Sequence, residues 1–97
     1  MRVSYSTRAL TQLDEIFSYV ARDNSLVASN LIDRIEALVL LLGQLPRMGR
    51  TTDKAGVRVI GVPGYPYLIF YRILEEKDEV RILRVRHSAR RPLPDYR

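Results

Sequence analysis

The apolar positions along this chain change their spacing twice. A short alternation, "RVSY" from Arg2 to Tyr5, predicts a strand; after it Ala9, Leu13, Ile16, Phe17 and Val20 recur at steps of three and four, the inward stripe of a helix. Ser6 or Thr7 can accept the first free amides of that helix, which the pattern carries to about Asp23. The triplet "DNS" breaks it, and Asn24 or Ser25 caps a second helix whose Ala28, Leu31, Ile35, Leu38, Leu42 and Leu45 form the next stripe, ended by Gly43 and Pro46. So short a break predicts an antiparallel helical hairpin.

Beyond the loop "PRMGRTTDKAG" the period becomes two. "VRVIGV" (Val57 to Val62), "YLIFYRIL" (Tyr67 to Leu74) and "EVRILRVRH" (Glu79 to His87) read as strands, separated by "PGYP" and the acidic turn "EEKD". The last two pair as a hairpin, and the strand from Tyr67, apolar on both faces, belongs in the interior of the sheet. Strict alternation would put Val80 and Ile82 on one face with Arg84 and Arg86, and Leu83 and Val85 on the other with Arg81 and His87. The class is α+β in the order β-α-α-β-β-β.

Length and composition narrow the picture. A chain of 97 residues suits one domain, 1–97, with a basic tail at about 88–97. With no cysteine and a single histidine, neither a disulfide framework nor a metal site is expected, and no cofactor is implied. The start "MRVSYSTRAL" lacks an apolar signal core, and the longest apolar run, Ala37 to Leu42, falls far short of the roughly 20 residues that span a bilayer. The expected location is the cytoplasm, away from the membrane.

Charge is the uneven feature. Residues 1–80 carry ten basic and ten acidic side chains, whereas "RILRVRHSARRPLPDYR" (Arg81 to Arg97) carries six arginines against one acid, which accounts for the whole net charge of +5. Arginine outnumbers lysine fourteen to two, and arginine forms bidentate bonds to carboxylate or phosphate at a lower desolvation cost than lysine. Helix 2 adds a second excess: Ile32, Val39, Leu40 and Leu41 widen its apolar side beyond one stripe, so either it is sandwiched or its outer side binds something.

Together, "YSTRALTQLDEIFSYVARDN", "LPRMGR", "YPYLIFYRI" and "ILRVRHSARRP" resemble the RelE/ParE superfamily of type II toxins over nearly the whole chain, closest to the ParE branch. The specificity lies in the combination of "P..GR" after the helices, a Tyr-rich middle strand and "RV.H..R.P" at the end of the last. The resemblance implies two helices on one face of a small, mostly antiparallel sheet, and a cytoplasmic toxin in a hetero-oligomeric complex with a ParD-like antitoxin. That antitoxin's acidic tail would cover Ile32, Val39, Leu40 and Leu41 and bring acids to the arginines, and contact with DNA would pass through the antitoxin.

The superfamily implies two activities, because ParE-type members inhibit DNA gyrase and RelE-type members cut mRNA on the ribosome. Cleavage needs a base for the 2′-hydroxyl, cations for the crowded phosphate and an acid for the leaving oxygen. Aligned to the RelE branch, Leu68 stands where that branch has a catalytic arginine, and Val59 and Gly61 where it has lysines. The reading favoured is therefore gyrase inhibition, with Arg84, Arg86, His87, Arg90 and Arg91 as target-binding residues. The alternative is a nuclease centre improvised from His87, Arg84, Arg86 and Arg90.

Each feature also has a structural reading. His87 can be a hydrogen-bonded residue ending a strand, and Arg58 and Arg72 can pair with acids on the helices. Tyr65, Tyr67 and Tyr71 can be core and edge residues of the sheet rather than stacking platforms for bases, and the tail can be merely solvated. A basic nucleic-acid-binding module is the third class, weakened by the neutrality of residues 1–80.

Overall fold

A computed structural model describes residues 1–89. Strand β1 (Arg2–Tyr5) leads into helices α1 (Thr7–Ala21) and α2 (Ser25–Gln44), followed by β2 (Arg50–Thr51), β3 (Val57–Gly61), β4 (Tyr67–Leu74) and β5 (Glu79–His87). The five strands form one sheet in the order β1-β5-β4-β3-β2, with β1 parallel to β5 and every other pair antiparallel. The helical hairpin covers one face. The expected α+β fold and the interior place of β4 hold; β2 went unforeseen, being two residues long and therefore without a period.

Local chemistry sets the helix boundaries. Ser6 caps α1, its Oγ accepting from the Ala9 amide at 3.0 Å, and Asn24 caps α2 by accepting from the Val27 amide at 3.1 Å. Gly43 does not end α2. It lies inside the helix, where a Cβ would come within 2.6 Å of the Met1 carbonyl oxygen, and its own carbonyl accepts from the Met1 amine at 2.9 Å. The glycine lets the start of the chain press against the helix.

The core lies between hairpin and sheet. Leu31, Ile35, Leu38, Val39 and Leu42 of α2 meet Ile69 and Tyr71 of β4 and Val80, Ile82 and Val85 of β5, with Leu13, Ile16 and Val20 of α1 packed against them. Two stripe residues escape: Phe17 is 37% and Leu45 54% exposed. Val39, expected on the outer side of α2, is corrected to the core at 1% exposure; it lies one turn beyond Ile35, and the inward stripe is wide enough to hold both Leu38 and Val39. Among the described residues, no helix is long and apolar enough to cross a membrane.

The turns follow their residue chemistry. In "VPGY" the Tyr65 amide donates to the Val62 carbonyl at 3.1 Å, with Pro63 second and Gly64 third at φ 83°, the arrangement of a type II turn. Between β4 and β5 the acidic turn winds one 3-10 turn over Glu75–Lys77, and Asp78 reverses the chain at φ 52°.

Candidate functional site: an arginine face built by a bulge

The alternation expected for β5 fails at one residue. Phe70 pairs with Arg84 but Tyr71 pairs with Ile82, so Leu83 is an extra residue, a β-bulge. The frame resets there. Val80, Ile82 and Val85 all enter the core, and Arg81, Arg84 and Arg86 all fall on the face without helices. This corrects the expectation that Val80 and Ile82 share a face with Arg84 and Arg86. The signal was present in the sequence as a step of three between Ile82 and Val85 after a step of two.

Helix α1 holds the bulge in place. The Ser6 hydroxyl donates to the Leu83 carbonyl at 2.8 Å, and Gln12 Oε1 accepts from the Val85 amide at 2.7 Å. Both are backbone groups at the site of the ladder's disruption, and leaving such a group unpaired would cost about 1–3 kcal/mol. Ser6 thus serves twice, as helix cap and as bulge partner, which its place directly after β1 makes possible.

On the open face, two cross-strand rows run into these arginines, because residues directly opposite one another share a face. One row is Arg50, Val59, Phe70 and Arg84; the next is Gly61, Leu68 and Arg86. The guanidinium carbons of Arg84 and Arg86 lie 4.5 and 5.3 Å from the centroid of the same Phe70 ring, within cation-π range. Leu68 and Val59 lie in these rows as neutral spacers.

The far end of the face has its own charge arrangement. Glu79, 5% exposed, accepts from the Ser4 hydroxyl and from Arg81, with Arg2 at 3.6 Å. The Ser4 hydrogen bond is the main cause that lowers this carboxyl's pKa; burial opposes it, and Arg81 and Arg2 add to it. Glu79 is therefore a charged structural acceptor tying β1 to β5.

His87 is elsewhere. It pairs in register with Tyr67, a core-facing residue, their ring centroids 5.2 Å apart in an edge arrangement, and its Nδ1 accepts from the Ala89 amide at 3.1 Å. The structure brings Arg84 and Arg86 together and puts His87 on the opposite face. The centre improvised from His87, Arg84 and Arg86 is not assembled. His87 lies three positions from Arg84 and one from Arg86, both odd, so ordinary alternation beyond the bulge keeps its side chain on the other face from both. Arg90 and Arg91, with most of the basic tail, lie outside the described residues.

Other candidates resolve into structure. The Tyr71 hydroxyl donates to the Pro46 carbonyl at 2.6 Å and accepts from the Gly49 amide at 2.9 Å. Burial pushes its pKa up, against smaller opposing effects from the Gly49 amide and Arg58, which keeps it a donor. A Cβ on Gly49 would lie 2.6 Å from that hydroxyl, so "P..GR" is a clamp on the loop between α2 and β2. Arg58 donates to the Gly49 carbonyl at 2.7 Å and Arg72 to the Ala55 carbonyl at 3.4 Å. The expected pairing of both with helix acids is corrected: loop carbonyls lie within reach of each at the end of the sheet near β2. Tyr67 and Tyr71 are buried and Tyr65 is packed against the core, so none of the three presents a free ring.

On the outer side of α2, Leu40 is 65% and Leu41 40% exposed and Ile32 is half-buried. Leu26, Val27 and Met48 are further exposed apolar residues of the hairpin and the loop after it.

A family model described as the ParE toxin of the type II toxin-antitoxin system parDE matches residues 3–92. The protein Y4kP of Sinorhizobium fredii is 34% identical over 90% of this chain and 88% of its own length. Toxin RelE2 of Caulobacter vibrioides is 30% identical over 92% of this chain and 97% of its own. The solved structure of the chromosomal ParDE toxin-antitoxin system from P. aeruginosa superposes with a TM-score of 0.78 at 26% identity, covering 90% of this chain and 95% of the matched one.

Proposed function

The chain belongs to the ParE toxin family of type II toxin-antitoxin systems, and from that premise we propose that it arrests growth by binding DNA gyrase through its open arginine face. A cognate ParD-like antitoxin silences it in the cytoplasm, laying an acidic tail along the exposed apolar side of the hairpin at Ile32, Leu40 and Leu41.

One observation supports the choice of binding over cleavage: along β5, alternation sets His87 on the face opposite Arg84 and Arg86, and the Leu83 bulge turns the arginines, not the histidine, to the open side. Cleavage at the arginine face would need a proton acceptor beside the cations. The carboxylate described on that face, Glu79, is occupied by Ser4, Arg81 and Arg2. Two guanidiniums brought to one face fit recognition of an anionic surface rather than a proton-transfer reaction.

The test is a supercoiling assay with purified gyrase, run beside a translation extract containing a defined mRNA. The expected outcome is loss of supercoiling with intact mRNA, relieved by the product of the adjacent small gene. Codon-linked cuts in the mRNA with supercoiling untouched would replace this reading with the RelE-type one.

A further inference from the structure

Strand β1 stops opposite Ile82; beyond that residue, among the described residues, β5 keeps a strand partner only on its β4 edge. The beginning of α1 takes over on the other edge. The Ser6 amide donates to the Ile82 carbonyl at 2.9 Å, the Ser6 hydroxyl donates to the Leu83 carbonyl at 2.8 Å, and Gln12 Oε1 accepts from the Val85 amide at 2.7 Å. One short stretch of chain grips the strand through its whole irregular part.

These bonds bracket Arg84. A bulge bends its strand and leaves the extra residue outside the ladder, so the direction of the next side chain depends on what else holds the backbone there. Here the held groups are the carbonyl just before Arg84 and the amide just after it. Ser6 also caps α1 by accepting from the Ala9 amide, so its loss would disturb the helix as well. Gln12 lies inside α1 and caps nothing, which makes it the cleaner handle on the strand.

Resting on the reading of the arginine face as the target contact, we propose that Gln12 is a positioning residue for toxicity. It meets no part of the target; through the Val85 amide it fixes the direction in which β5 presents Arg84 beside Phe70. A guanidinium acts by its planar geometry as well as by its charge. Turning Arg84 aside therefore weakens the contact even though the charge remains.

Two variants of the full chain separate the acceptor from the bulk of the side chain. Gln12→Met keeps nearly the same length without a carbonyl acceptor, and Gln12→Glu keeps an Oε acceptor. In Gln12→Met the Val85 amide is expected to exchange at least about fivefold faster, as the loss of one hydrogen bond implies. The NMR signals of the Arg84 Nε–H and the Phe70 ring should move, and growth arrest on controlled expression should weaken. Gln12→Glu should restore all three. Ile35→Val, a core change on α2 that lowers the denaturant midpoint without touching the bulge, is the stability control and should stay toxic. Unmoved Arg84 and Phe70 signals in Gln12→Met, no restoration by Gln12→Glu, or an equal loss of toxicity in Ile35→Val would each overturn the proposal. So would full toxicity in Gln12→Met beside a harmless Arg84→Gln/Arg86→Gln. Moved signals with Gln12→Met and Arg84→Gln/Arg86→Gln both fully toxic would instead remove the reading of this face as the target contact, and leave the hold of Gln12 on β5 standing.

Discussion

The two faces of the sheet are built by opposite rules. Under the helices, Ile69, Tyr71, Val80 and Ile82 are sealed to 0% exposure, and shape decides what is tolerated. On the open face, Phe70, Arg84 and Arg86 are half-exposed and held by ring and charge contacts. The same two strands supply both. The first face is where the chain gains its stability; the second can change its chemistry at little structural cost, which is where a small toxin can carry specificity for a partner.

The largest expected effect comes from breaking the covered face. Ile35→Ala empties a fully buried position and should cost about 2–5 kcal/mol, read as a fall in the denaturant midpoint. Arg84→Gln/Arg86→Gln should cost no more than about 1–2 kcal/mol, since it removes two cation-π contacts each worth about 0.5–1 kcal/mol at a part-exposed site. Similar losses in both variants would erase the distinction between the faces.

Next comes the loop clamp. Tyr71→Phe removes the partner of both the Gly49 amide and the Pro46 carbonyl and should cost about 1–3 kcal/mol, while Gly49→Ala sets a methyl against the same hydroxyl with a similar penalty. Because the two changes strike one contact, their double variant should lose less than the separate losses added together.

A smaller loss follows at the bulge, and it sharpens the comparison because α1 there acts through the sheet. Gln12→Ala strips the Val85 amide of its acceptor and should cost about 1 kcal/mol, with faster hydrogen exchange at Val85. Unchanged exchange would mean that the bulge holds itself.

The smallest effect is one of pH. The Glu79 carboxyl is lowered in the folded chain, so its contribution is complete above its unfolded value of about 4.3 and is lost as pH falls through the folded one. Wild type should therefore lose stability below about pH 4 more steeply than Glu79→Gln in acid unfolding curves. Parallel curves would remove Glu79 as the tie between β1 and β5.

Legibility in the sequence follows the same division. The stripes of α1 and α2 and the spans of β4 and β5 were readable because one face of each element is buried, and burial imposes a period. Val39 was misplaced because a wide stripe does not say which of its members face outward. The grouping of Arg84 with Arg86 was readable from their spacing, but their company was not. Strict alternation set them with Val80 and Ile82, and the bulge that corrects this depends on Ser6 and Gln12, more than seventy positions away. The place of Phe70 between the two arginines was missed, since nothing local shows that two guanidiniums converge on it. The clamp of Tyr71 on Pro46 and Gly49 was equally distant, and only the motif spacing hinted at it.

The central claim is that this toxin works through the arginine face and not through its histidine. The most direct measurement compares growth arrest on controlled expression of His87→Ala and of Arg84→Gln/Arg86→Gln, each confirmed as folded by circular dichroism. The account predicts that His87→Ala still arrests growth and that the double arginine variant does not. Full toxicity in the double variant, with loss of toxicity in His87→Ala, would contradict it.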